Sequence, residues 1–284
     1  MRIRAGFNLT YECPQQTPML LVLEIHPSRR LDLLTEQVIG FDRPIEARGY
    51  IDAFGNACTR IEAPAGLTTI SSSFEIYDTG KSDVVVPEAV QHDIKELPDD
   101  VLRFLLGSRY CDTDRLGDFA WEKFGDTTPG WARVQAICNF VHDHIAFSYQ
   151  AADPLRTAHG ALTDRTGVCR DFAHLAISLC RCMNIPTRYC TGYLGDIGVP
   201  RAPDPMDFSA WFQAYLSGHW FAFDPRHNRP RIGRILMATG CDATDVAFST
   251  SFGASRLASF EVVTEEVQTD QLSGDPFGNP ESSP

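Results

Sequence analysis

At 284 residues, with 43% hydrophobic and 22% charged side chains, the chain has material for a large core and lacks the composition of a disordered protein. Its formal charge of −12 argues against general affinity for nucleic acid or anionic membrane surfaces. The run Met19-Leu20-Leu21-Val22-Leu23 is too short to span a bilayer or to form a signal segment, so a cytoplasmic protein without a membrane partner is expected.

Residues 1–90 read as an antiparallel β domain. Candidate strands are Leu9 to Glu12, Met19 to His26, Gly49 to Phe54, Cys58 to Ala63 and Thr68 to Tyr77. Phe54-Gly55-Asn56 lies between two of them and has hairpin chemistry, because glycine and asparagine tolerate positive φ. After Pro87 the text turns helical. Pro98 suits the start of a helix running on to Leu106. A second helix starts near Thr128-Pro129, with Val134, Ile137, Cys138, Val141 and Ile145 at helical spacing. A third starts at Cys169, with Leu175, Leu179, Cys180 and Met183 on one stripe, and Asn184-Ile185-Pro186 ends it. Strand-like runs follow at Arg188 to Tyr193, Ser209 to Leu216 and Trp220 to Asp224, the last two joined by Ser217-Gly218-His219, and Ser259 to Val267 forms a further candidate. Helices followed by antiparallel strands make residues 91–270 an α+β domain. The segment 271–284, rich in glycine, proline and serine, reads as a disordered tail.

Nine cysteines, an odd number scattered through apolar text, fit reduced thiols rather than a disulfide framework. No Cys-x-x-Cys occurs and no ligand spacing for zinc is present; no Asp-x-Asp-x-Asp-Gly calcium loop is present either. No cofactor or metal is expected. One cysteine stands apart. In Gly167-Val168-Cys169-Arg170-Asp171-Phe172-Ala173-His174 it follows a glycine turn and opens a helix. There the helix dipole and free N–H groups favour thiolate over thiol, and a lowered thiol pKa is expected. Asp171 suits a cap at this helix start, and Arg170 a surface or carboxylate-steering role.

Three blocks in a fixed order carry a resemblance. They are Gly167 to Leu175, then Ile185-Pro186-Thr187-Arg188-Tyr189-Cys190-Thr191-Gly192-Tyr193, then Ser209-Ala210-Trp211-Phe212-Gln213-Ala214-Tyr215-Leu216 with Trp220-Phe221-Ala222-Phe223-Asp224-Pro225. Residues 100–245 so read resemble the transglutaminase-like superfamily, and residues 1–90 resemble the N-terminal region of its bacterial members. The resemblance implies a papain-like core, with the cysteine helix packed on an antiparallel sheet and a Cys-His-Asp triad. Cys169 matches the nucleophile and Asp224 the orienting carboxylate. The histidine of the family falls at Ser209, whose hydroxyl cannot act as a base near neutral pH. Ser209 and Asp224 are then expected to face each other and share a hydrogen bond.

Among the other histidines, His227 lies three residues after Asp224, where the turn at Pro225 can return its ring to the site; the alternative is a turn histidine bonded to local backbone. His159 reads as a surface residue. His174, about 140° around the helix from Cys169, reads as packed in the interface. His142 and His144 at a helix end read as capping or surface groups, and Trp211 and Trp220 either wall a cleft or belong to the sheet. Two functions follow from the resemblance. One is a thiol enzyme that cleaves peptide or isopeptide bonds, or transfers an acyl group to an amine, through a thioester at Cys169, with a peptide or protein as substrate. The other is a pseudoenzyme whose cleft binds a peptide or protein partner.

Overall fold

The computed structural model describes residues 1–202 and 204–267. The first region holds β1 (Arg2–Cys13), β2 (Thr17–Leu21), β3 (Gly40–Phe41), β4 (Arg48–Ile51), β5 (Ala57–Ala63) and β6 (Gly66–Tyr77). On β1 the residues Ile3, Ala5, Phe7, Leu9, Tyr11 and Cys13 are all buried, the period-two pattern of a strand with one face on a core. β4 and β5 form the hairpin over Phe54-Gly55-Asn56, with Gly55 at φ +83. The strand expected at Met19 to His26 stops at Leu21. Beyond it the chain bonds to distant backbone instead, Val22 N–H to Phe248 O at 3.0 Å and His26 N–H to Leu236 O at 2.9 Å, so it leaves the ladder while staying buried.

The second region begins with α1 (Asp99–Leu102), α2 (Gly117–Phe124), α3 (Trp131–His144), the short β7 (Ala146–Phe147), α4 (Ala158–Asp164), β8 (Thr166–Gly167) and α5 (Cys169–Cys182). It continues with β9 (Thr187–Tyr193), β10 (Ser209–Leu216), β11 (His219–Phe223), β12 (Ile235–Gly240), β13 (Ser249–Ser251) and β14 (Arg256–Glu266). The fold is α+β, with helices packed on an antiparallel sheet ordered β11-β10-β9-β12. Ser217 and Gly218 both have positive φ, +47 and +80, between β10 and β11, as a two-residue hairpin requires. Five elements here were not foreseen, α2, β7, β8, β12 and β13, each too short to show a clear period. The last strand forms, but its partner is β1, paired from Ile3↔Glu266 to Glu12↔Arg256 with a register shift between Thr10 and Tyr11. The chain therefore returns to its first sheet, and β13 likewise pairs with β2. The segment 271–284 lies outside the described residues.

The central sheet separates two cores, and α5 runs through one of them. Every residue from Asp171 to Arg181 is buried, because α5 lies between α3 and α4 on one side and β9 and β10 on the other. Phe172, Leu175, Ile177 and Leu179 are essentially inaccessible, each worth about 1.5–3 kcal/mol of burial. Ala210, Phe212, Ala214 and Leu216 of β10 join this core, while Tyr193, Ile235 and Met237 join the core of the first region. Alternation along β10 then puts Ser209 and Trp211 on the face opposite Ala210.

Candidate active site

α5 owes its start to Gly167 and Asp171. The Asp171 carboxylate folds back and accepts the Val168 N–H at 2.8 Å, satisfying a donor at the helix N-terminus. A Cβ on residue 167 would lie 2.5 Å from Asp171 Oδ2, so only glycine leaves room for this cap. Arg156 donates to the same carboxylate at 3.3 Å. Cys169, the first residue of α5, is half-buried and lines a cleft of about 550 Å³. Tyr110, Arg170, Tyr189, Asp207, Ala210 and Phe248 help to form its walls.

The thiol is not the ready thiolate that the helix start implied. Burial pushes the Cys169 pKa up to about 11, and the Asp207 carboxylate adds to the rise. The Arg226 guanidinium and the Ala210 N–H oppose it, and Asp224 adds further negative charge. Desolvation and two carboxylates outweigh the helix dipole, whose effect is about 0.3–1 kcal/mol at most sites. The same push acts on Cys58, Cys182 and Cys241, each also at about 11. What distinguishes Cys169 is its place in the cleft wall.

Asp224 follows β11 and begins a turn that runs to Asn228. Its side chain is 2% exposed. Oδ2 accepts from His227 Nδ1 at 2.8 Å and from Arg234 Nη2 at 2.9 Å, while Oδ1 accepts the His227 N–H at 3.1 Å. Burial alone would raise its pKa. Arg234 and then His227 outweigh that and hold the carboxylate far below the usual range. Arg234 in turn donates to both oxygens of Asp83, at 3.0 and 2.9 Å. Asp83, Arg234, Asp224 and His227 thus form one chain of charge-assisted bonds.

Ser209 is buried and pairs with Gly192 across β9. No bond joins it to Asp224, whose carboxylate is taken by Arg234 and His227, so the expected hydroxyl–carboxylate bond is not formed. Sequence reasoning missed Arg234 because its partners Asp224 and Asp83 lie ten and 151 residues away and no local pattern joins them. No imidazole bonds the Cys169 sulfur among the described residues. His174 is fully buried, stacked on Tyr110 with ring centroids 5.0 Å apart, and its Nε2 accepts the Ala243 N–H at 3.1 Å. Burial lowers its pKa to about 3, against the pull of Asp242. His159 is tied through its own N–H to Asp112 at 3.0 Å, and His144 Nε2 bonds Leu162 O at 2.7 Å. Trp211 is buried with Arg234 over its ring, and Trp220 packs edge-on against Phe104, so these two tryptophans belong to the sheet rather than to the cleft.

A thiol at the head of a buried helix, on a helix-backed antiparallel sheet, defines a papain-like thiol fold. Residues 120–225 match the Transglutaminase-like superfamily. The crystal structure described as a "Putative Cysteine Protease" from Cytophaga hutchinsonii is similar over 95% of this chain and 92% of its own, at 28% identity and a TM-score of 0.78. An uncharacterized protein of Mycobacterium leprae (strain TN) is 40% identical over 91 residues, 31% of this chain. The match spans about a third of that relative, 32% of its length. Among the described residues no helix is long and apolar enough to cross a membrane, and no group of acidic, histidine and cysteine side chains has the arrangement of a metal site.

Proposed function

We propose that the chain performs amide-directed acyl chemistry at Cys169 on a peptide or protein bound in the adjoining cleft. The observation that carries this reading is the placement of Cys169 at the first turn of α5, in the wall of a cleft of about 550 Å³. In the proposed reaction the sulfur attacks the amide carbonyl while its proton leaves to a base. The C–N bond breaks, the amine departs protonated, and water or a second amine resolves the thioester. The N–H groups at the head of α5 suit the oxyanion of the tetrahedral intermediate. Asp224 and His227 form the imidazole–carboxylate pair nearest in kind to a triad, with His227 Nδ1 on the carboxylate, and His227 is the proposed base.

A second reading, peptide binding without turnover, has its own support. The thiol is pushed to about 11, and no imidazole bonds its sulfur among the described residues. Replacing Ser209 and His227 in turn separates the two. Under the first reading His227→Ala abolishes hydrolysis of a labelled casein and incorporation of a fluorescent amine, and Ser209→His gains little. Under the second, the wild type is inert and Ser209→His makes turnover measurable, since a general base is worth about 10²- to 10⁴-fold. Turnover that survives Cys169→Ala would sink both.

A further inference from the structure

The turn after Asp224 carries a third charged residue. Arg226 stands between Pro225 and His227, and its guanidinium carbon lies 3.8 Å from the centre of the Phe147 ring. Phe147 is the last residue of β7 and pairs in register with Gly167 of β8, two residues before Cys169. This stacking carries the guanidinium from the β11 side of the molecule to the head of α5. The Arg226 charge also opposes the rise that burial imposes on the pKa of Tyr149, two residues after Phe147.

The turn is itself pinned from α3. Gln135, Asn139 and His142 fall at intervals of four and three, one face of a helix. Gln135 Nε2 donates to Asn228 Oδ1 at 2.9 Å, and Asn228 Nδ2 donates to Asn139 Oδ1 at 2.9 Å. His142 Nδ1 lies 3.1 Å from Pro225 O and 3.0 Å from Arg226 O, so this nitrogen carries the proton and donates to both carbonyls. Asn228 takes φ +48, which asparagine tolerates better than other non-glycine residues. Three polar side chains of one helix face therefore bond the backbone and side chains of residues 225–228.

We propose that Arg226 supplies the fixed positive charge beside Cys169 that the residue at 209 does not, and that the Gln135–Asn139–His142 face of α3 positions it. Arg226 is a positioning and electrostatic partner of the thiol rather than a base, because a guanidinium never gives up its proton near neutral pH. It works against Asp207 and Asp224, with Tyr149 and Tyr189 also near the sulfur and Arg170 lining the same cleft, and its charge opposes the rise of the Cys169 pKa. The inference rests on Cys169 being the reactive thiol of the proposed function, but it needs no turnover to be tested.

The test is the rate of Cys169 alkylation by iodoacetamide from pH 7 to 11, followed by peptide mapping, with Cys182 and Cys241 as internal references. Arg226→Ala should slow Cys169 labelling at pH 8 by about 10-fold, as loss of a nearby charge does. Across this range its log rate should rise with pH at the same slope but lie about one unit lower, with the two reference thiols unchanged. Arg226→Lys should keep most of the rate, and His142→Ala should give a smaller slowing in the same direction. An unchanged profile in Arg226→Ala, or equal changes at Cys182 and Cys241, would overturn the proposal. Absence of Cys169 labelling at every pH in the wild type would sink the proposed function as well, a result distinct from labelling that ignores Arg226.

Discussion

Asp224 follows β11 and Cys169 opens α5, and their surroundings treat charge in opposite ways. Asp224 is almost sealed from solvent and ionised, because Arg234 and His227 share its Oδ2 and Arg234 is itself neutralised by Asp83. Cys169 is half-buried at the mouth of a helix, yet desolvation and two carboxylates hold it in the neutral form. Depth of burial does not by itself set protonation. Paired partners decide at Asp224 and their shortage decides at Cys169. In a triad an imidazole would connect the two environments. Here the carboxylate side is saturated and the thiol side is left to a guanidinium.

The saturated side breaks most severely. Arg234→Ala should remove the partner of two carboxylates at once and cost about 3–5 kcal/mol, the usual penalty for orphaning a buried charge. Urea unfolding at pH 7 measures it, and a loss below about 1 kcal/mol would show that the network is solvated rather than closed. The pH dependence of stability should show the same pairing with its sign. The folded Asp224 has a depressed pKa, so its contribution is full above the unfolded value near 4 and is lost as pH falls through the lower folded one.

His174 gives a second acid-side effect in a different window. Its folded pKa, lowered to about 3, lies below the unfolded value of about 6.5. The unfolded chain therefore binds the extra proton between these values. Stability is full above about 6.5 and falls by up to about 1.4 kcal/mol per pH unit on the way down. His174→Phe retains an aromatic ring between Tyr110 and Tyr189 and should flatten this slope, which thermal unfolding between pH 7 and 4 would reveal. A slope equal to wild type in the variant would place the proton elsewhere.

A smaller change sharpens the thiol side. Gly167→Ala puts a methyl 2.5 Å from Asp171 Oδ2, forcing the cap off the Val168 N–H for about 1–3 kcal/mol. The unfolding midpoint should drop, and Cys169 labelling should change more than that of Cys241 because the head of α5 is what moves. The smallest effect separates the thiols of the unmodified protein. With Cys169, Cys182 and Cys241 all pushed to about 11, access rather than charge sets their order, and Cys169 should label first by a few-fold because it lines the cleft. Mapping that finds Cys182 or Cys241 first would remove that distinction.

Much of this was legible in the chain because it depends on neighbours a few residues apart. The period of α5, the glycine and carboxylate at its head and the turn at Ser217-Gly218 all follow from local spacing and turn chemistry. So did the resemblance to the superfamily that residues 120–225 match, carried by three blocks each under about 20 residues long. Tertiary structure alone decided the rest. β14 closes on β1 although ladder partners such as Ile3 and Glu266 stand at opposite ends of the described chain. Arg234 reaches back 151 residues to Asp83, and Arg226 reaches Phe147 only because α3 pins the turn that bears it. The charge state of Cys169 belongs with these. A helix start favours a thiolate by a local dipole, but desolvation and the charges of Asp207, Arg226 and Asp224 come from segments that meet only in the folded molecule, and together they outweigh it.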